Sequence, residues 1–178
     1  MNYNPKIHHR RSIRLKGYDY AQAGLYFITI CTNHRQHIFG EVLNSQMILN
    51  DTGKVADECW QAIPQHFPNA ILHEFVVMPN HVHGIIELTN LVGAKNISPP
   101  QNILPRQAQF KSPSMTIGSV VRGYKIGVTK WCRNNTNIFN VWQRDYYEHI
   151  IRNEMAFQRI ARYIINNPSN WKDDKFYK

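Results

Sequence analysis

The sequence has 178 residues, 43% of them hydrophobic, and its 21 Lys and Arg exceed its 12 Asp and Glu to give a net charge of +9. This length and composition predict one folded domain and exclude a disordered chain, while the positive charge favours nucleic acid over a membrane as the partner. Three scattered cysteines and the lack of a long apolar run argue against a disulfide framework, a zinc knuckle, a signal peptide and a membrane span, so we expect a cytoplasmic protein.

Residues 6–16 form a basic arm at the start of the chain. Its cations are Lys6, Arg10, Arg11, Arg14 and Lys16. Such an arm is either a solvated surface or an element that binds phosphates, and the sequence leaves both interpretations open.

The first half of the chain predicts a strand, a helix and a strand pair. Residues 25–32 are rich in aromatic and β-branched side chains, which favours a strand. Asn50 can cap a helix that keeps its apolar spacing until Pro64. Residues 70–78 and 81–88 then predict two adjacent strands of a hairpin, and Gly84 leaves room there for the close approach of another group.

The second half begins with an irregular segment. Residues 90–113 are rich in Pro, Gly, Asn and Gln, which indicates a flexible excursion inside a single domain spanning 1–178. Ser114 can cap a helix that continues to about Cys132. Arg122 and Lys125 lie on the polar side of that helix.

The C-terminal part predicts a short fourth strand at residues 138–143 and a lead-in at 144–152. A final helix with apolar residues at helical spacing runs from Glu154 until Pro168 ends it. The order strand, helix, strand, strand, helix, strand, helix is typical of an α+β protein. We predict a ferredoxin-like antiparallel sheet with helices packed on one face.

The most informative motif is the pair His81 and His83 at the start of a predicted strand. Side chains alternate across a strand, so both imidazoles point to the same face. Imidazole is the commonest metal ligand, and two on one face already form a partial metal site. A structural role for both histidines is the alternative.

Tyr163 and Asn167 are one helical turn apart in the final helix. If that helix lies across the His pair, a His, His, Asn metal site forms with a phenol beside it. Taken alone, Tyr163 also fits a packing residue and Asn167 a helix C-cap.

These motifs resemble, in this order, the REP-associated tyrosine transposases, which are single-tyrosine members of the HUH endonuclease superfamily. The resemblance lies in Met78-Pro79-Asn80-His81-Val82-His83, in residues 142–152, and in Tyr163-Ile164-Ile165-Asn166-Asn167-Pro168. Residues 10–20 and 26–32 also resemble the start of the family. The similarity therefore extends over nearly the whole chain except residues 90–113.

The resemblance implies an endonuclease and strand transferase that cleaves hairpin-forming repeat DNA through a 5′-phosphotyrosine intermediate. In this interpretation Tyr163 is the nucleophile, while His81 and His83 bind a divalent metal, Mg²⁺ or Mn²⁺. Asn167 would be the third ligand, where relatives use Gln or an acidic residue. Two imidazoles alone equally admit Zn²⁺.

The implied partner is single-stranded or hairpin DNA in the bacterial cytoplasm, at the nucleoid. We expect phosphate contacts from the basic residues Arg10, Arg11, Arg14, Lys16, Arg122 and Lys125. Both a monomer and a homodimer are compatible with the sequence. Two other functions stay open: a non-catalytic protein that binds DNA hairpins, and a metal-dependent hydrolase that activates water.

Overall fold

A computed structural model of the chain describes residues 22–90 and 115–177. Four of the predicted DNA-binding residues, Arg10, Arg11, Arg14 and Lys16, lie outside these ranges, as does nearly all of the predicted excursion at 90–113.

The described part of the chain contains both strands and helices. The strands are β1 (Gly24–Cys31), β2 (Gly40–Leu43), β3 (Gln46–Leu49), β4 (Ala70–Met78), β5 (His81–Leu88) and β6 (Tyr147–Ile151). The α-helices are α1 (Asp51–Gln61), α2 (Ile63–His66), α3 (Ile117–Asn135) and α4 (Glu154–Ile165), and short 3-10 helices lie at Asn33–Arg35 and Trp171–Asp173.

One antiparallel sheet organises the fold, with the strand order β4-β5-β1-β6. Two strands adjacent in sequence, β4 and β5, form one edge, and β1 and β6 complete the sheet. This is the split β-α-β arrangement of a ferredoxin-like α+β fold, so the predicted antiparallel sheet and the α+β class are confirmed. The described helices pack on both faces of the sheet, and not on one face as predicted. The hairpin of β2 and β3 is a separate small sheet that the sequence analysis did not predict.

Side-chain alternation along β5 assigns its residues to two faces of the sheet. Val82 and Ile86 belong to the main core, which is shared with α1 and α3. A Cβ added to Gly84 on this face would lie 2.2 Å from the Trp60 ring of α1, which confirms the expected close approach. His81, His83 and Ile85 point to the opposite face, where α4 packs against β4 and β5.

The helices begin where side chains satisfy their first free backbone N–H groups. The Asn50 side chain accepts a hydrogen bond from Gly53 N at the start of α1, as predicted. The Asn153 side chain accepts from Ala156 N at the start of α4. The cap of α3 is Thr116 and not, as predicted, Ser114, a residue that lies outside the described ranges.

The predicted fourth strand at residues 138–143 is also wrong. Within that segment Trp142 makes one isolated bridge, to Thr32, while the edge strand of the sheet is β6. Val141 is buried and its carbonyl accepts from Asn33 N, so the segment closes the end of the sheet without extending it. None of the helices in the described residues combines the length and apolar character that crossing a membrane would require.

Candidate active site

The two histidines at the start of β5 lie side by side on the face of the sheet that α4 covers. Their ring centroids are 4.3 Å apart. His81 is 0% exposed and His83 is 1% exposed. The predicted convergence of the two imidazoles is therefore present, in a largely buried position.

Asn80 fixes the orientation and the tautomer of His81. Its Nδ2 donates to the backbone carbonyls of Phe176 (2.9 Å) and Arg35 (3.3 Å), which can only accept. Its Oδ1 must therefore face His81 Nδ1, at 2.9 Å, and that nitrogen must carry the ring proton. The lone pair of His81 then resides on Nε2, a buried atom without a hydrogen-bond partner among the described residues.

His83 is held between a hydroxyl and a phenol. Its Nδ1 lies 2.8 Å from the Thr29 hydroxyl on the neighbouring strand β1, and its Nε2 lies 3.1 Å from the Tyr163 hydroxyl. Tyr163 lies in the last turn of α4, which ends at Ile165, so Asn167 follows just beyond the C-cap Asn166. Its side chain is 40% exposed, so its hydroxyl is next to a buried imidazole and its ring is accessible from solvent.

A carboxylate from the C-terminal segment joins this group. The Tyr163 hydroxyl donates to Asp174 Oδ2 at 3.0 Å, and Asn167 Nδ2 donates to the same oxygen at 2.8 Å. Phe176 N donates to the other oxygen of Asp174 at 2.7 Å. Asp174 therefore connects the predicted nucleophile to the predicted third ligand.

The structure offers two candidates for a third metal ligand. One ligand atom from each of His81, His83 and Asp174 lies within 4.8 Å of the other two. Asn167 remains the candidate that the sequence predicted, and its Oδ1 is a buried atom without a partner among the described residues.

Asp174 was missed because no regular spacing relates it to the histidines or to Tyr163. The signal that points to it is indirect. Trp171 and Phe176, on either side of Asp174, are apolar and 6% and 7% exposed, so they bury the segment against the sheet.

These donors fit a divalent metal. Two imidazole nitrogens with one carboxylate or amide oxygen are a common ligand set for such ions. Buried polar atoms are normally hydrogen-bonded, so the unpartnered Nε2 of His81 and Oδ1 of Asn167 are consistent with positions that receive a metal. The ligand types do not distinguish Mg²⁺, Mn²⁺ and Zn²⁺.

Burial also adjusts the proton affinities in the site. It lowers the pKa of His81 to about 4, against the opposing effect of the Asp174 charge. Burial and the neighbouring His81 lower the pKa of His83 well below its ordinary value. Both rings are therefore neutral near pH 7, as metal ligands must be. Burial and then the Asp174 carboxylate raise the pKa of Tyr163, so its phenol alone is a weak nucleophile.

Arg122 and Lys125 are not brought to this site. Both are on α3, which packs against the face of the sheet opposite to α4. Lys125 Nζ donates to the carbonyls of Gln143 (2.8 Å) and Asp145 (3.1 Å), and burial lowers its pKa to about 8. Lys125 therefore fastens the segment that closes the end of the sheet.

Comparison with known proteins gives a close relative and several structural likenesses. No protein-family model matches the chain. An uncharacterized protein of Haemophilus influenzae is 51% identical over 175 residues, which is 98% of this chain and 97% of the relative. The structure of a REP-associated tyrosine transposase bound to a REP hairpin has a TM-score of 0.61 at 20% identity, over 93% of this chain and 77% of that chain.

A candidate transposase from Deinococcus radiodurans has a TM-score of 0.44 at 17% identity, over 87% of this chain and 97% of that one. The likeness to the first solved structure establishes a shared fold.

Proposed function

The chain belongs to the same family as the Haemophilus influenzae protein and has the fold of the REP-associated tyrosine transposase, and on this premise we propose that it is a metal-dependent, transposase-like endonuclease. It would cleave single-stranded, hairpin-forming DNA and hold one product on Tyr163. The observation that carries the proposal is the position of the half-exposed Tyr163, whose hydroxyl lies 3.1 Å from Nε2 of the buried His83.

In this proposal Tyr163 is the nucleophile. Its oxygen forms a bond to phosphorus as the bond from phosphorus to the 3′-oxygen breaks, which leaves a 5′-phosphotyrosine and a 3′-hydroxyl. Asp174 Oδ2, which accepts the hydrogen bond of the phenol, is the nearest group to receive its proton, and the departing 3′-oxygen takes up a proton from water. The phosphotyrosine bond conserves the energy needed to rejoin a strand.

His81 and His83 would hold the metal through their Nε2 atoms, with an oxygen of Asp174 or Asn167 completing the ligands. When bound, the metal supplies positive charge that polarises the phosphate and offsets the raised pKa of Tyr163. Asn80 and Thr29 hold the two rings in position, as outer hydrogen-bond partners do at most histidine metal sites.

The test is a covalent adduct assay with the full chain. Wild type and Tyr163→Phe are incubated with Mn²⁺ or Mg²⁺ and a 3′-labelled single-stranded oligonucleotide that carries an imperfect-palindrome hairpin with randomised flanks. Wild type should retain label on a denaturing gel. Tyr163→Phe should bind the DNA but form no adduct, whereas Tyr146→Phe and Tyr147→Phe should still form it.

Three outcomes would contradict the proposal. An adduct that persists in Tyr163→Phe would assign the nucleophile to another residue. Cleavage by wild type without any adduct would favour a hydrolase that activates water. Binding of the hairpin by wild type without cleavage, in either metal, would favour a non-catalytic hairpin-binding protein.

A further inference from the structure

The sheet continues beyond the histidines on the face that carries Tyr163. Pairing places Thr29 of β1 opposite His83 on one side and opposite Tyr147 on the other, and Phe27 opposite His149. Directly paired residues share a face of the sheet. The face that starts at His83 therefore continues through Phe27 and Thr29 to the edge strand β6.

The aromatic rings on this face are in contact from the nucleophile outward. The Phe27 ring lies edge-on to Tyr163, with centroids 6.3 Å apart, and edge-on to Tyr147, also at 6.3 Å. Tyr147 is 44% exposed, and His149 is exposed as well. Edge strands of soluble proteins are commonly protected by charged side chains, so a half-exposed aromatic ring at this edge calls for a partner.

A lysine lies beside the exposed ring of this surface. Lys175 Nζ lies 5.9 Å from the centroid of the Tyr147 ring, and Lys175 is exposed. Glu148 is adjacent to Tyr147 in sequence, but alternation points it to the opposite face, where it accepts a hydrogen bond from Tyr146. An exposed aromatic ring beside a lysine is the combination with which proteins bind single strands of nucleic acid.

We propose that Phe27, Tyr147 and His149, with Lys175, form a stacking surface for the bases of single-stranded DNA next to the scissile phosphate. Tyr147 is its main contact, since its ring is the most exposed of the aromatic contacts of Phe27. The proposal rests on the function assigned to Tyr163, because that assignment places the phosphate at His83.

The distance of Tyr147 from His83 indicates which nucleotide it would contact. Neighbouring strands are about 4.8 Å apart, so Tyr147 on β6 lies two strands, roughly 10 Å, from His83 on β5. A base that stacks on Tyr147 therefore belongs to a nucleotide that flanks the cleaved position. We expect Tyr147 to determine the affinity for the strand and not the chemistry at phosphorus.

The test measures affinity for a single-stranded oligonucleotide in the Tyr163→Phe background, where no cleavage occurs. Tyr147→Ala should weaken binding about 5- to 150-fold, the range that corresponds to one stacked base. Tyr147→Thr, which suits an edge strand, should weaken it similarly if alanine disturbs the fold. Tyr147→Phe should stay within about twofold of the parent, because a ring is retained.

Ile126→Ala is the matched control, since Ile126 is 59% exposed on α3, on the other side of the sheet. It should not change the affinity. A set of oligonucleotides with one abasic position each, moved along the flank, locates the stacked base. An abasic site at the stacked position should weaken binding to the Tyr163→Phe parent. The same abasic site should have little further effect on binding to the variant that also carries Tyr147→Ala.

Unchanged affinity in both Tyr147→Ala and Tyr147→Thr would overturn the proposal. It would also be overturned if every abasic position lowered the affinity equally with and without the Tyr147 substitution. A change in oligomeric mass on substitution, without DNA, would overturn it in favour of contact with a second copy. Failure of the function itself has a different signature. If Tyr163 forms the adduct but the affinity does not depend on Tyr147, only the stacking surface is disproved. If no adduct forms, the proposed function itself is disproved.

Discussion

Substitution of Asn80 by alanine should change His81 in a way that can be measured without DNA. Asn80 is 0% exposed, and its side chain connects His81 Nδ1 to the carbonyls of Phe176 and Arg35. Without the acceptor oxygen, nothing in the described residues around Nδ1 holds the ring proton there. We expect His81 in Asn80→Ala to shift towards the form protonated on Nε2, the atom that a metal requires unprotonated.

Two magnitudes follow from these contacts. One buried and one partly buried carbonyl lose their donor, which should lower the free energy of unfolding by about 1–3 kcal/mol. Loss of an outer hydrogen-bond partner typically weakens metal binding about 10- to 100-fold, or roughly 1.4–2.7 kcal/mol. Metal affinity and stability should therefore both fall.

The assay is ¹⁵N NMR of histidine side chains near pH 7, where the lowered pKa keeps His81 neutral, combined with urea unfolding and calorimetric titration of Mn²⁺. Asn69→Ala is the matched control, because Asn69 is also buried and donates to a carbonyl, that of Met115. It should lose stability but keep both the His81 tautomer and the metal affinity.

A second variant separates the acceptor from the donors. Asn80→Asp keeps an oxygen opposite His81 but loses the amide donors, so it should retain the Nδ1-protonated ring while losing stability. If His81 stays protonated on Nδ1 in Asn80→Ala, the reasoning about its tautomer is refuted. Metal affinity that equals wild type in a folded Asn80→Ala would refute the positioning role.

Three further predictions concern the third ligand, acid stability and the basic arm. Asp174→Ala should weaken Mn²⁺ binding more than Asn167→Ala, because it removes a negative charge as well as a ligand oxygen; calorimetry measures both, and no effect from either would exclude both as ligands. Because burial lowers the pKa of His81 from 6.5 to about 4, the unfolded chain binds more protons between these values. The free energy of unfolding should thus be highest above pH 6.5 and should fall as the pH drops towards 4. His81→Phe should reduce this dependence of the unfolding free energy on pH, measured by urea titrations at several pH values. An identical pH dependence in His81→Phe would contradict the prediction. Removal of residues 1–16 should lower DNA affinity and subtract roughly 0.7 to 0.9 from the log–log salt slope per lost phosphate contact, and an unchanged slope would exclude the arm from the interface.

The parts of the site that follow local periodicity could be predicted from the sequence. The period of two along a strand places His81 and His83 on one face, and the period of a helix places Asn167 one turn after Tyr163. The structure brings all four residues together. The strands β4 and β5 also have the predicted bounds, because Pro79 and Asn80 mark the turn between two apolar runs.

The rest depends on contacts through space that no local pattern encodes. Asp174 reaches the site because Trp171 and Phe176 are buried on either side of it. The fourth strand was misplaced because residues 138–143 and 147–151 both contain aromatic and β-branched side chains that favour a strand, and the sequence alone does not say which one pairs with β1. Lys125 looks like a surface cation in the sequence, but its amine binds two backbone carbonyls.

The two imidazoles of the site differ in the freedom of their protons. An amide oxygen can only accept, so Asn80 commits His81 to one tautomer. Tyr163 donates its single proton to Asp174, so its oxygen accepts from Nε2–H of His83, and Thr29 then donates to Nδ1. A hydroxyl can also accept, so rotation of the Thr29 hydroxyl allows the proton of His83 to move to Nδ1. His83 can thus donate to the phenol oxygen in one tautomer and offer the lone pair of Nε2 to a metal in the other. His81 presents its Nε2 lone pair whichever tautomer His83 adopts.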